Sequence, residues 1–185
     1  SATHLGPLPP GSHPSSVRMG DQRADVSHID DPRHPHDSTP APDVRAGDIV
    51  AVRTTYRRGH VTFVARFRSL QVTDELRVAF DIQYRNRIQF LYGDVTVVVP
   101  PRGQAQATAQ SDDGRRCRPD LRLDRAAAVV AVSLDASCLD SPPWVRVTVR
   151  SIATDDVEAP SYVDLDVAPE QPGDLARFGP AAWAR

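Results

Sequence analysis

From Asp48 to Ile152 the chain repeats with period two, and this constrains its fold more than any other feature. Val50, Val52 and Thr54 alternate with Ala51 and Arg53; Val61, Phe63, Ala65 and Phe67 alternate with Thr62, Val64, Arg66 and Arg68; Leu76, Val78, Phe80 and Ile82 alternate with Arg77, Ala79 and Asp81. Successive strand side chains point to opposite faces, so such runs bury one face and wet the other. A helix would scatter the same apolar residues around its circumference. Between the first two runs, YRRGH supplies Gly59 where a tight hairpin needs a positive φ.

Further strands are expected over Gln89 to Val99, Gln104 to Gln110, Leu121 to Leu123, Ala127 to Leu134 and Trp144 to Ile152, with one helical turn in DASCL, Asp135 to Leu139. About eight strands and no long amphipathic helix predict an all-β fold, an antiparallel β-sandwich. Residues 1–23 are rich in Pro, Ser and His without periodicity and read as an extended arm. Residues 24–152 form the sandwich domain. Residues 153–185, broken by prolines and acids, read as an irregular tail packed on it, with a short strand around Tyr162 to Val167 and Phe178 and Trp183 as anchors.

One domain is the expectation for 185 residues. All 22 basic residues are arginine and Asn86 is the only asparagine, the bias of a GC-rich coding sequence, so each arginine is not by itself a sign of guanidinium chemistry. A net charge of −2 gives no overall attraction to nucleic acid. No segment reaches the roughly 18 apolar residues of a membrane span. The small residues Ser1 and Ala2 at the start resemble what signal peptidase leaves, and the expectation is a secreted protein, extracellular or at the cell surface. Cys117 and Cys138 lie too far apart for a CxxC motif and lack cysteine partners for a zinc site, so a disulfide is the economical reading, with two buried thiols as the alternative.

The order of parts carries a resemblance. A DPxxxxD stretch (Asp31 to Asp37), the pair GDIVAVRTTYRRGHVTFVARFRSL, a cysteine before a strand, and VVAVSLDASCLDSPPWVRVTV together resemble a widespread family of exported, uncharacterised actinobacterial β-sandwich proteins. More distantly they are similar to DOMON-like domains, to family-9 carbohydrate-binding modules and to glucodextranase-type C-terminal domains. The similarity spans about Asp25 to Ile152. It implies bound calcium at the acidic turn, on Asp31, Asp37 and Asp48 with Asp30 adjacent. His36 stands where the relatives carry a glycine.

The residues themselves leave that turn open. HIDDPRHPHD (His28 to Asp37) offers carboxylates for calcium, imidazoles of His28, His34 and His36 for zinc or copper, or a polar connector with no metal. Tyr84, Phe90 and Tyr92 form a candidate sugar-stacking cluster, while Phe63, Phe67, Phe80 and Trp144 read as core. The strand arginines Arg53, Arg66, Arg68, Arg77, Arg146 and Arg150 read as a solvated face, or as a basic stripe for an acidic glycan. Without GxSxG, HExxH or P-loop signatures, the chain is expected to be a non-catalytic binding or surface module for a glycan or cell-surface component. The alternative is self-association into a filament or surface layer, through the arm and a ladder formed by ADVSHID (Ala24 to Asp30).

Overall fold

The computed structural model describes residues 13–21, 23–34, 37–156, 158–169 and 178–185. Fourteen strands run along them: β1 (Ser16–Gly20), β2 (Ser27–Ile29), β3 (Thr39–Pro40), β4 (Ile49–Arg57), β5 (His60–Phe67), β6 (Glu75–Arg85), β7 (Phe90–Val99), β8 (Gln106–Ser111), β9 (Arg116–Cys117), β10 (Asp120–Asp124), β11 (Val129–Asp135), β12 (Trp144–Thr154), β13 (Val163–Ala168) and β14 (Ala182–Trp183). The all-β expectation holds, with more strands than eight. The extra ones are short or lie outside the region of clear alternation. The helical turn at DASCL is a 3-10 turn, Ala136–Leu139, which Asp135 caps by accepting from the Ser137 N–H.

The strands form two antiparallel sheets. Sheet A has the order β1-β4-β5-β11-β10; the nine-stranded sheet B runs β3-β2-β13-β12-β6-β7-β8-β9, with β14 also paired to β12. Alternation decides which side chains meet between them. Val61, Phe63, Ala65 and Phe67 of β5 face Leu76, Val78, Phe80 and Ile82 of β6, and all are buried. The Phe63 and Phe80 rings stand 6.0 Å apart at the centre of the core. One phase differs from the sequence reading. A bulge between Ile49 and Ala51 buries both and leaves Val50 half exposed.

The β4–β5 connection is the two-residue turn Arg58-Gly59, with φ of 51° and 73°. Two consecutive left-handed residues match the twist of the flanking strands, which is the use expected of Gly59. Cys117 and Cys138 are joined in a disulfide with Cα atoms 6.1 Å apart, tying β9 at the edge of sheet B to the 3-10 turn.

The sandwich reaches beyond residues 24–152 at both ends. β1, inside the segment read as an arm, is an edge strand of sheet A, and its Met19 is buried in the core. β13, inside the segment read as a tail, pairs with both β12 and β2. The described ends also meet: the Trp183 N–H donates to the Pro14 carbonyl at 2.8 Å, and the Arg58 N–H to the Arg185 carbonyl at 2.7 Å.

Candidate functional site

The outer face of sheet B carries the densest chemistry. Antiparallel register sets opposed side chains about 5 Å apart on one face, so residues from neighbouring strands line up in rows. In the outermost row Arg85 of β6 faces Phe90 of β7, its guanidinium 5.3 Å from the ring centre. Trp144 of β12 closes that row, 6.1 Å from Phe90. The second row is Arg146, Gln83 and Tyr92. The third is Thr148, Asp81, Asp94 and Gln110. Aromatic rings thus give way to a cation and amide, then to carboxylates.

Polar bonds hold the second row rigid. Gln83, although on the outer face, is buried. Its amide N–H donates to the Tyr92 hydroxyl at 3.0 Å, and its carbonyl accepts from Arg146 Nε. The Arg146 guanidinium lies between two rings, 5.5 Å from Trp144 and 5.6 Å from Phe178. Phe178 comes from the last described segment and leans to 6.1 Å from Tyr92. An open groove of about 920 Å³ runs over Gln83, Tyr92, Arg146 and Phe178, also lined by Asp81, Asp94, Asp112 and Thr148.

The electrostatics are mixed. Arg150 pairs with Asp81 at 2.9 Å. Burial, and then the neighbouring Asp81, push the Asp94 carboxyl above the ordinary aspartate range. Burial lowers the Arg146 pKa, because desolvation disfavours its charged form. Among the described residues Arg146 makes no ion pair.

Two of the three expected stacking aromatics belong to this face. Phe90 is 48% and Tyr92 49% exposed. Tyr84 does not join them: it is 2% exposed, on the inward side of β6 in phase with Phe80 and Ile82. Trp144, read as core, is half-buried on the outer side, alternating with the buried Val145. Nothing in the sequence placed Gln83, Arg146 and Phe178 together, because their meeting depends on strand order. Nor do the strand arginines form one stripe. Arg53 and Arg66 lie on sheet A, Arg77, Arg146 and Arg150 on sheet B, and Arg68 is bound to Asp48.

The acidic turn does not gather as the resemblance implies. Asp31 is taken by Arg33, at 2.9 and 3.0 Å, and by His34 at 3.1 Å. Asp30 accepts from His28, whose other ring nitrogen meets Asp164. Asp37 is exposed, and its N–H donates to the His34 carbonyl at 3.0 Å. His28 and His34 each face their own carboxylates rather than one another, and His36 lies outside the described residues. Among the described residues, the carboxylates and imidazoles of this turn are thus engaged with Arg33, with Asp164 and with one another.

Only Asp48 of those residues lies at an acidic junction, a different one. Among the described residues one trio, Asp21, Asp25 and Asp166, has ligand atoms within 4.8 Å of one another. Asp21 and Asp25 flank the turn by which the chain leaves β1 for β2, a turn closed by Ala24 at φ 64°. Asp166 points inward from β13, accepting from the Ile49 N–H at 2.6 Å and the Val167 N–H at 2.9 Å. Burial, with Asp25 and Asp48 adding repulsion, pushes its pKa up to about 7. Fully buried Asp48 receives the Ala24 N–H and Arg68 on Oδ2, each at 2.8 Å, and its Oδ1 has no hydrogen-bond partner among the described residues. Oxygens so placed between the sheets suit a hard cation. The sequence signal was faint: two aspartates four apart in a turn, and an acid in the alternating VDLDVA.

No helix among the described residues is long and apolar enough to cross a membrane. Comparison with protein-family models, with curated proteins and with solved structures finds no match.

Proposed function

We propose that the chain is a non-catalytic carbohydrate-binding module acting outside the cytoplasm, with its ligand seat on the outer face of sheet B. One observation carries this: two exposed rings, Phe90 and Tyr92, stand on one sheet face, and Tyr92 lines an open groove together with amide, hydroxyl and carboxylate groups. Ring faces stack on the C–H surface of a pyranose, and fixed polar groups read its hydroxyls. The resemblance to sandwich carbohydrate-binding modules supports the reading, and the disulfide suits an oxidising compartment. The test is an oligosaccharide array probed with the wild type and with Tyr92→Ala. The wild type binds a defined subset, and Tyr92→Ala loses about five- to thirtyfold in affinity, as expected for the loss of a stacking ring worth roughly 1 to 2 kcal/mol. Its melting temperature falls by a few degrees at most, since Tyr92 is half exposed and the main loss is the hydroxyl that accepts from the buried Gln83 amide. An array without hits sinks the proposal.

A second reading concerns calcium. Asp21, Asp25 and Asp166, with Asp48 behind them, hold a calcium ion that fastens the β1–β2 crossover to both sheets. An ion that binds only the folded state stabilises it by mass action. Calcium is therefore expected to raise the melting temperature by several degrees over chelator, and Asp21→Asn with Asp25→Asn to abolish the difference. Coincident melting curves for the wild type with calcium and with chelator reject this site. The filament alternative gains no comparable support, because Ser27–Ile29, within the Ala24 to Asp30 segment expected to pair with a neighbour, is already laddered to β13 and to β3 in its own chain.

A further inference from the structure

Resting on the carbohydrate reading of the sheet B groove, we infer that its ligand bears a carboxylate: the site takes a uronic-acid-containing glycan, with Arg146 as the seat of the acid and Asp81 and Asp94 as acceptors for neighbouring hydroxyls. Arg146 is one of four half-buried arginines among the described residues, with Arg68, Arg77 and Arg125. Arg125 donates to backbone carbonyls, and Arg68 and Arg77 each pair with a carboxylate. Arg146 is partly desolvated between Trp144 and Phe178 and makes no such pair among the described residues. A guanidinium removed from water without a counter-charge is costly, and an incoming anion offsets that cost.

Its geometry suits a planar anion. Gln83 occupies Nε and fixes the guanidinium plane, while the two flanking rings prevent it from swinging away. The Nη edge is left to make the paired hydrogen bonds that a carboxylate accepts. One row along the same strands, Asp81 and Asp94 oppose each other, and Arg150 already neutralises Asp81. Carboxylates accept hydrogen bonds from sugar hydroxyls, so these acids read the neutral part of the ligand. A fully anionic ligand such as a polyphosphate would be repelled by Asp94 and Asp112, which line the same groove. A carbohydrate with an acid at one position and hydroxyls along its length complements both ends.

The experiment compares uronic-acid oligosaccharides with the same oligosaccharides after carboxyl reduction, which turns each acid into a neutral sugar of unchanged linkage. Sulfated and neutral glycans are included. Wild type, Arg146→Gln, Arg146→Lys and Tyr92→Ala are measured, each first shown by its melting curve to be folded. Expected are at least about tenfold tighter binding of a uronate than of its reduced form, loss of that preference in Arg146→Gln, and partial retention in Arg146→Lys, which keeps the charge but not the fork. Raised salt weakens the uronate complex more than any neutral one. Equal affinity for acid and reduced forms, a preference for sulfate over carboxylate, or an Arg146→Gln variant that keeps the wild-type preference overturns the inference, while Tyr92-dependent binding leaves the carbohydrate reading in place. Binding to no glycan overturns both.

Discussion

Tyr84 and Tyr92 are of one residue type on adjacent strands, yet one is core and the other is surface. Their fates are set by parity. Tyr84 keeps phase with Leu76, Val78, Phe80 and Ile82, and Tyr92 is out of phase with Val95, Val97 and Val99. That difference was legible in the sequence, and grouping the aromatics by proximity instead of phase obscured it. The neighbours of Tyr92 were not legible, because Gln83, Arg146 and Phe178 reach it across three separate stretches of chain. His28 offers a separate prediction at this scale. Hydrogen bonds to Asp164 and Asp30 raise its pKa in the folded state. Its stabilising contribution is then complete below the unfolded histidine value of about 6.5 and is lost as pH rises through the higher folded value. Thermal melts from about pH 6 to about pH 8 should show a fall in stability that His28→Gln reduces. An equal fall in the variant assigns the effect to other groups.

At the scale of elements, long alternating runs gave the reliable expectations: β4, β5, β6, β7, β11 and β12 lie where period two places them. β13 is different, and instructive. In VDLDVA the apolar residues suggest the buried face, but pairing of Ser151 with Asp166 and of Ala153 with Asp164 turns the acids inward. Register with β12 overrode the local pattern, and the acidic junction is the result. Gly47 stands beside it at φ 83°, its carbonyl accepting from the Ser151 hydroxyl. A Cβ there would come within 2.9 Å of Leu76 Cδ1 and 3.1 Å of Ser151 Oγ, whereas one at Gly59 would meet open space. Both positions charge a left-handed conformation to alanine, but only Gly47 adds crowding. Gly47→Ala is expected to cost about 2 to 3 kcal/mol in chemical denaturation and Gly59→Ala about 1 kcal/mol. Equal losses would contradict the close packing at Gly47.

On the scale of the whole molecule, the sandwich draws on the ends of the chain as structural parts. Removing residues 1–22 would take away β1 and the buried Met19, so the reading of residues 1–23 as an extended arm does not hold for Ser16–Gly20. The low apolar content of residues 1–23 hid this, because a short edge strand needs only Val17 and Met19 to touch the core. The two sheets also divide the chemistry. The groove lies outside sheet B, and the acidic junction lies between the sheets where β1 passes to β2. Ligand binding and ion-linked stability are therefore expected to be separable. The most direct test of the glycan seat is amide NMR shift mapping during titration with an array-positive oligosaccharide. Shifts are expected to concentrate at residues 81–83, 90–94, 110–112 and 144–148 and to spare β4, β5 and β11, with Tyr92→Ala suppressing them. Shifts centred on sheet A, or unchanged by Tyr92→Ala, would contradict a glycan seat on sheet B.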